Sequence, residues 1–308
     1  MHFVLENLIS KYFNDFENFT KQDSDNKVDE LISEYLSLID GYEKIVTKRI
    51  EFLINIISGS LKDVAFHIIN ELLQSDFTPK YCELKIGDKS GIPAINIPFD
   101  NGNITLNGSI DRLDLWNGYV RIVDYKTGTK NFKLPDILLG LNMQMLIYLY
   151  AVVRGDDSVL NKNLPAGILY MPSKRDFGED NVLSMNGLVL LDEAVISAMD
   201  KQGEGEYIPR KPFKADGTLK KQTASYAEAN LFNEIFNYIE LLFKRFGNNV
   251  SSGEFNAQPI DGVEIDACKY CDYSAICCNE NKEHISADKT LTNADIMEFL
   301  KEANKNGI

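Results

Sequence analysis

The sequence predicts an α/β fold in which a mixed β-sheet is flanked by helices. Two runs of alternating apolar and polar residues meet at Asn117-Gly118, the strongest short-range signal for a β-hairpin. Helical periodicity precedes these strands over residues 28–75, and the strand-like run 166–171 follows them. A chain of 308 residues with 44% apolar composition can bury a sizeable core around such a sheet.

The N-terminal quarter is predicted to be largely helical. Residues 2 to about 19 follow an amphipathic helical pattern, and the polar run 21–27 predicts a linker. Residues 28–75 combine long apolar periodicity with the absence of an internal proline. We therefore expect a helical insertion between the first helix and the first strand.

The central part of the chain carries the predicted sheet. Pro135 and Asp136 open a helix that continues through Gln144 and Tyr148, and the strand 166–171 follows it. The resulting order is α-β-β-β-α-β. The strands before that helix are expected at about 81–87, 93–99, 104–115 and 119–126.

The C-terminal part is predicted to contain a long helix, a cysteine-rich segment and a terminal helix. The aromatic stripe of residues 225–247 indicates core packing rather than a platform for stacking bases. Thr292 and Asp295 form a capping box at the start of the last helix. We expect one large domain over residues 1–265 and a C-terminal segment over 266–308.

The hairpin brings three charged residues together. If the two loop residues form the turn, Trp116 pairs with Tyr119, and counting outward places Asp111 opposite Asp124. Two carboxylates facing each other across a strand pair are destabilising unless positive charge lies between them. Strand periodicity puts Lys126 on the same face as Asp124. The patch therefore combines two carboxylate ligands with a fixed cation.

This combination predicts hydrolysis of a phosphodiester. Carboxylate oxygens suit Mg²⁺ or Mn²⁺, which can lower the pKa of a bound water and neutralise charge on phosphorus. Lys126 would stabilise the developing charge and help to position the attacking water. The alternative interpretation is a solvated strand face without chemistry.

Two segments carry a family resemblance. The run Gly108-Ser-Ile-Asp-Arg-Leu-Asp114, followed by Ile122-Val-Asp-Tyr-Lys-Thr-Gly128, resembles the signature of the RecB-like branch of the PD-(D/E)xK nucleases, and within it the AddB-type nuclease domains. Gln144 and Tyr148 are similar to the Gln-x-x-x-Tyr motif of that family, and their spacing places both on one helix face. The resemblance implies that they act with the catalytic residues Asp111, Asp124 and Lys126. Their alternative role is support of a buried helix.

The resemblance also implies a metal site. It assigns Asp111, Asp124 and Tyr125 to the metal, together with a histidine on the first helix, for which His2 is the best match. The competitor, His67, comes too late in the chain and is predicted to be structural.

Two further residues are weaker candidates. Glu83, at the start of the strand region, resembles an acidic position of the relatives, and its role could be to contact the metal ligands. His284 lies in a polar tail.

Three cysteines form a metal-binding pattern. The spacing of Cys268, Cys271 and Cys277 clusters thiolates around one centre. In the AddB-type relatives such a triplet joins an upstream cysteine to hold a 4Fe-4S cluster. That upstream residue is absent here, so we expect three ligands of the parent protein's cluster and an incomplete site in this chain. Zinc with His284 as the fourth ligand is the alternative.

The remaining thiols and the low cysteine content indicate a reducing compartment. Five cysteines in 308 residues are too few for a disulfide scaffold, and Cys82 and Cys278 lie outside the triplet. Cys82 is expected to be a small buried hydrophobe. No signal peptide opens the chain, so a cytoplasmic location is predicted.

The charge of the chain limits how it can bind DNA. A net charge of −14 argues against a freestanding, high-affinity DNA binder. Two basic segments, 126–133 and 210–221, could contact a strand locally. No run of about 20 apolar residues predicts a membrane span.

The resemblance implies a Mg²⁺-dependent exonuclease domain acting on single-stranded DNA ends. Its expected setting is double-strand-break repair in an AddAB-type helicase-nuclease, with an AddA-type subunit as partner. The alternatives are a Cas4-like nuclease of the same family, and an inactive module that only binds DNA or scaffolds a partner.

Overall fold

The structure is a computed structural model that describes residues 1–126, 128, 131–172, 185–203, 205–209, 212–214, 218–219, 224–255, 258–266, 268–269, 271–277 and 284–307. Its α-helices are α1 (His2–Tyr12), α2 (Lys21–Ser37), α3 (Tyr42–Ile45), α4 (Lys48–Leu73), α5 (Gln144–Arg154), α6 (Glu193–Met199), α7 (Ala229–Ser252), α8 (Ser274–Cys277) and α9 (Asn293–Asn306). Its strands are β1 (Thr78–Ile86), β2 (Ile95–Phe99), β3 (Gly102–Leu106), β4 (Gly108–Trp116), β5 (Tyr119–Lys126), β6 (Leu164–Pro172), β7 (Asn186–Leu190), β8 (Tyr226–Ala227), β9 (Ile260–Asp261) and β10 (Ile285–Ser286). Short 3₁₀ helices lie at Phe13–Asn18, Leu134–Leu139 and Leu160–Lys162.

A six-stranded mixed sheet in the order β1-β4-β5-β6-β7-β8 forms the centre of the fold. β4 pairs antiparallel with β1 and β5, whereas β5 and β6 run parallel. Helix α1 packs against β1 and β4, and α5 packs against β5 and β6. This mixed sheet between helices confirms the predicted fold class.

The hairpin between β4 and β5 has the predicted register. Asn117 and Gly118 both adopt positive φ, as a tight two-residue turn requires, and Trp116 pairs with Tyr119. The paired ladder continues to Arg112 and Val123. The same count places Asp111 opposite Asp124, one step beyond the last pair of the ladder.

The first part of the chain differs from the prediction at the end of its first helix and at residues 21–27. Helix α1 ends at Tyr12, and a 3₁₀ turn replaces the rest of the expected single helix. The run 21–27 is not a linker, because Thr20 caps α2 and its backbone N–H donates to the carboxylate of Asp23. This reciprocal capping box satisfies the first orphan N–H groups of the helix, so a polar composition is compatible with a helix start.

Two predicted elements are each divided in the structure. The expected strand 104–115 breaks at Asn107 into β3, which pairs with β2 in a separate two-stranded sheet, and β4 of the central sheet. The helix expected from Pro135 is a 3₁₀ turn that ends at Gly140 with φ +73°, and α5 starts afresh at Gln144. A left-handed glycine terminates a helix because it redirects the backbone.

Helix α4 is the one helix, within the described ranges, that is long and apolar enough to cross a membrane. Core helices of folded domains meet the same criterion, and the second half of α4 is buried in the core, including Leu61, Val64, Ile68 and Leu72. Its first half is exposed on several sides, with large apolar side chains at Phe52, Leu53, Ile56 and Ile57.

The C-terminal elements pack on the same core. The apolar stripe of α7 is buried, as predicted, and α9 contributes Ile296 and Leu300 to the core cluster. The buried carboxylate of Asp136 accepts a hydrogen bond of 2.6 Å from the backbone N–H of Val263, just before the cysteine segment. The division at residue 265 stays a prediction.

Candidate active site

Three side chains from separate elements meet beside the paired strands β1 and β4. His2 of α1, Glu83 of β1 and Asp111 of β4 each offer a ligand atom, and these atoms lie within 4.8 Å of one another. His2 Nδ1 lies 3.1 Å from Glu83 Oε1 and 3.5 Å from Asp111 Oδ1. In the described part of the chain, no other group of three histidine, cysteine or acidic side chains is this close. We call these residues the acidic triad.

The docking of α1 brings His2 to the triad. Val4, Leu5, Leu8 and Ile9 are buried, and α1 packs with them against the sheet. The first residue of the helix consequently lies beside Glu83 of β1 and Asp111 of β4.

Glu83 reaches the triad from an unusual backbone conformation. Its φ is +51°, although it lies inside β1 between Cys82, which pairs with Arg112, and Leu84, which pairs with Ile110. Positive φ is uncommon for a non-glycine residue, and such strain clusters at functional sites. Its carboxylate contacts His2 directly, so Glu83 is placed either to support this ligand, as the sequence suggested, or to bind the metal itself.

The Asp111 carboxylate is held by a backbone N–H group, and its pKa is raised. Its Oδ2 accepts a hydrogen bond of 2.9 Å from the N–H of Tyr125. Burial is the main cause that raises the pKa of Asp111 to about 6; the Tyr125 N–H opposes this shift, and the negative charge of Asp124 adds to it. A nearby cation would stabilise the charged form of this carboxylate.

Asp124 and Lys126 form a close ion pair beside the triad. Lys126 Nζ lies 2.8 Å from Asp124 Oδ2, and the Asp124 side chain is only 6% exposed. The ammonium group also lies 5.9 Å from the ring centroid of Tyr170, which pairs with Asp124 from β6. The predicted proximity of Asp124 and Lys126 is thus present, but Asp124 is not part of the acidic triad, so its role as a metal ligand stays a prediction.

The Tyr125 side chain offers no ligand atom to the triad, although its ring lies edge-on to His2 with ring centroids 6.3 Å apart. The ring is buried, and its hydroxyl accepts a hydrogen bond of 3.2 Å from Arg112. Only the backbone of Tyr125 reaches Asp111. The predicted metal contact would therefore have to use its carbonyl oxygen, and it stays a prediction.

Gln144 and Tyr148 share a face at the start of α5. Gln144 Nε2 donates to Tyr148 Oη at 3.2 Å. The Tyr148 ring lies close to the first residue of β4, since a Cβ at Gly108 would be 2.7 Å from Tyr148 Cε1. The glycine of the sequence signature thus leaves room for the tyrosine, and their catalytic roles stay predictions.

A buried ionic network that we did not predict from the sequence lies behind the active-site strands. Glu71 of α4 bonds to Arg112 at 2.7 Å and Arg121 at 2.6 Å, and Asp114 bonds to both arginines. All four side chains are fully buried. The signal was a lone glutamate in the apolar second half of α4, together with arginines in otherwise buried strands.

The other histidines lie elsewhere. The half-buried His67 contacts the ring of Tyr207 with centroids 5.1 Å apart, and His284 pairs with Asp261 at 2.8 Å. Neither belongs to the acidic triad.

In the described part of the chain, the three cysteines are not close enough together to form a preformed metal site. Cys268, Cys271 and Cys277 are free and half-buried, and their sulfurs do not form a group within 4.8 Å among the described residues. Burial raises the pKa of Cys82 to about 11, in keeping with a structural thiol. Cys278, most of the basic segment 210–221 and part of 126–133 lie outside the described residues. The iron-sulfur and zinc alternatives both stay predictions.

The comparison with family models identifies the class of protein to which the chain belongs. The model of the PD-(D/E)XK nuclease superfamily matches residues 1–278, and the chain belongs to this family. Nucleases of this family generally use a divalent metal.

Curated relatives add a narrower similarity. The chain is 28% identical over 311 residues to an ATP-dependent helicase/deoxyribonuclease subunit of the AddB type from Alkaliphilus metalliredigens, covering 94% of this chain and 27% of the relative. Proteins of the same name from Thermoanaerobacter sp. and Clostridioides difficile are 29% and 30% identical, over 100% and 98% of this chain and 29% and 28% of theirs. The chain therefore spans less than a third of the length of these relatives.

Proposed function

We propose that this chain is a metal-dependent deoxyribonuclease domain that hydrolyses phosphodiester bonds of single-stranded DNA from an end. The observation that carries the proposal is the acidic triad beside the Asp124–Lys126 ion pair. One site thus offers ligands for a divalent cation and a fixed positive charge for a phosphate.

The donor set of the triad fits Mg²⁺ or Mn²⁺. One imidazole nitrogen and two carboxylate groups converge, which is a donor set that suits these cations. His2, Glu83 and Asp111 would hold the ion, with Asp124 and the Tyr125 carbonyl as further candidates. A bound ion would supply an activated water and charge neutralisation at phosphorus.

Protein groups around the triad would orient the phosphate. The ammonium group of Lys126, fixed by Asp124 and the ring of Tyr170, would donate to a non-bridging phosphate oxygen as negative charge develops. The N–H of Tyr125 fixes the Asp111 carboxylate, so its orientation is set before substrate binds. Gln144 and Tyr148 would position the strand from the start of α5.

The names of the relatives support the proposal that this domain is part of a helicase-nuclease complex. Their name describes a helicase and deoxyribonuclease subunit, and we infer that this domain degrades strands unwound by a helicase during double-strand-break repair. In that setting its partner would be an AddA-type subunit in the cytoplasm, and DNA would be delivered to an acidic body by neighbouring domains. A 4Fe-4S cluster on Cys268, Cys271 and Cys277 would belong to the same assembly.

Degradation of end-labelled single-stranded DNA with Mg²⁺ or Mn²⁺ tests the proposal. Asp111→Ala and Lys126→Ala should each lower the cleavage rate by about 100-fold or more, because the first removes a proposed metal ligand and the second removes the cation at the phosphate. Lys62→Ala, a surface change on α4, should not alter it. Equal rates in all variants would refute the assignment, and cleavage of a closed circular strand would refute the requirement for an end.

A further inference from the structure

We propose that Lys85 binds a DNA backbone phosphate adjacent to the scissile one, at the mouth of the active-site cleft. This inference rests on the proposed nuclease function and names a substrate contact that neither the family signature nor the hairpin indicates. It is carried by the shape and charge of the cleft and by the way in which Lys85 is held.

The cleft beside the acidic triad is strongly negative. It has a volume of about 580 Å³, and Glu6, Glu83 and Asp111 contribute three carboxylates to its lining. Burial and the nearby charge of Glu83 raise the pKa of Glu6. Lys85 is the one lysine or arginine among the described residues that line this cleft. A DNA strand entering here meets repulsion that Lys85 is placed to offset.

Contacts on neighbouring strands direct the Lys85 ammonium group into the cleft. Lys85 follows Glu83 by two residues on β1 and pairs with Ser109 of β4. Its Nζ lies 3.0 Å from Ser109 Oγ and 3.8 Å from Glu83 Oε2. Ser109 Oγ in turn donates to Glu83 Oε2 at 3.1 Å. Lys85 is thus tethered next to the triad without a short ion pair.

Exposure distinguishes Lys85 from Lys126. The Lys85 side chain is 50% exposed, whereas Lys126 is 28% exposed and bonded to Asp124 at 2.8 Å. An ammonium group has three donors, and the hydrogen bond to Ser109 leaves two for a ligand. We therefore assign Lys126 to the scissile phosphate and Lys85 to its neighbour.

DNA binding without divalent metal tests this assignment separately from cleavage. Fluorescence anisotropy with a fluorescein-labelled oligothymidylate would be measured across a NaCl series for the unchanged chain, Lys85→Met and Lys85→Arg. Lys85→Met should weaken binding several-fold at low salt and reduce the slope of log K against log[NaCl] by about 0.7, the value for one phosphate contact on a single strand. Lys85→Arg should retain the slope.

The matched control is Lys62→Met, because Lys62 pairs with Asp29 and does not line the cleft. It should bind DNA like the unchanged chain. The proposal is overturned if Lys85→Met keeps the original slope, if Lys62→Met lowers it equally, or if the unchanged chain does not bind the oligonucleotide at low salt. It is also overturned if Lys85→Met changes only Mn²⁺ affinity, since the lysine would then serve Glu83. If the unchanged chain does not cleave DNA but Lys85→Met still reduces the salt slope, the nuclease function is refuted and the Lys85 contact is not.

Discussion

Glu83 completes the acidic triad from a backbone conformation that the sequence did not predict. Its positive φ lies inside a strand, and its carboxylate contacts His2 and Ser109 at 3.1 Å. Such a conformation costs on the order of 1–3 kcal/mol and persists where the surrounding structure fixes it. We interpret the strain as part of the arrangement that brings three ligands together.

Glu83→Gln is expected to weaken Mn²⁺ binding by at least about 10-fold, because it removes a negatively charged oxygen from the triad. Isothermal titration calorimetry measures the effect. Glu6→Gln is the matched control, since Glu6 lines the same cleft but is outside the triad. Equal losses in both variants would show that overall cleft charge, and not the Glu83 carboxylate, governs metal affinity.

The absence of a side chain at Gly108 leaves room for the ring of Tyr148. Gly108→Ala places a Cβ 2.7 Å from Tyr148 Cε1, so the ring must shift. We expect about a 10-fold loss in cleavage rate, because Gln144 moves with the tyrosine to which it is bonded. In a Tyr148→Ala background the glycine change should have little further effect. Additive losses in the double variant would contradict a steric coupling between the two residues.

At the scale of elements, α4 and the β4–β5 hairpin are joined by the buried network of Glu71 with Arg112 and Arg121. The arginines come from the strands that also carry Asp111 and Asp124, so the network fixes the hairpin from behind. Buried ion pairs are a weak source of net stability, but removing one partner leaves uncompensated charge.

Glu71→Gln should lower the free energy of unfolding by about 3–5 kcal/mol, since it leaves two buried arginines underneutralised. Urea denaturation measures the change. Lys62→Met breaks the more exposed Lys62–Asp29 pair and should cost less than about 1 kcal/mol. Similar costs in both variants would contradict the special role of the buried network.

The helices and strands that were predicted correctly are those whose sequence signals lie within a short window. The hairpin, the α9 capping box and the core stripe of α7 could be predicted because each depends on turn chemistry or periodicity within a short window. The start of α2 was missed because the polar composition of 21–27 outweighed the capping box at Thr20. The break before α5 depends on the left-handed Gly140, which apolar periodicity alone does not reveal.

At the scale of the whole molecule, the candidate site depends on contacts between distant parts of the chain. Asp124 and Lys126 could be brought together by counting along one strand. The contact of His2 with Glu83 and Asp111 could not, because it requires α1 to dock against strands that begin more than 70 residues later. For the same reason the fully buried Arg112 and Arg121 could not be distinguished from exposed strand residues.

The net charge of −14 is a property of the whole molecule that affects how it can bind DNA. An acidic body with few cations at the cleft is suited to DNA that is delivered rather than captured from solution. In the proposed setting, DNA would be delivered by other parts of a helicase-nuclease, and the curated relatives are more than three times as long as this chain.

The central claim is that the fold assembles His2, Glu83 and Asp111 into a divalent metal site. Anomalous diffraction from crystals soaked in Mn²⁺ tests it most directly. The expected result is a strong peak within about 2.0–2.6 Å of ligand atoms from all three residues, lost in Asp111→Ala crystals. Mn²⁺ bound elsewhere, or no peak at the triad in well-ordered crystals at saturating Mn²⁺, would contradict the claim.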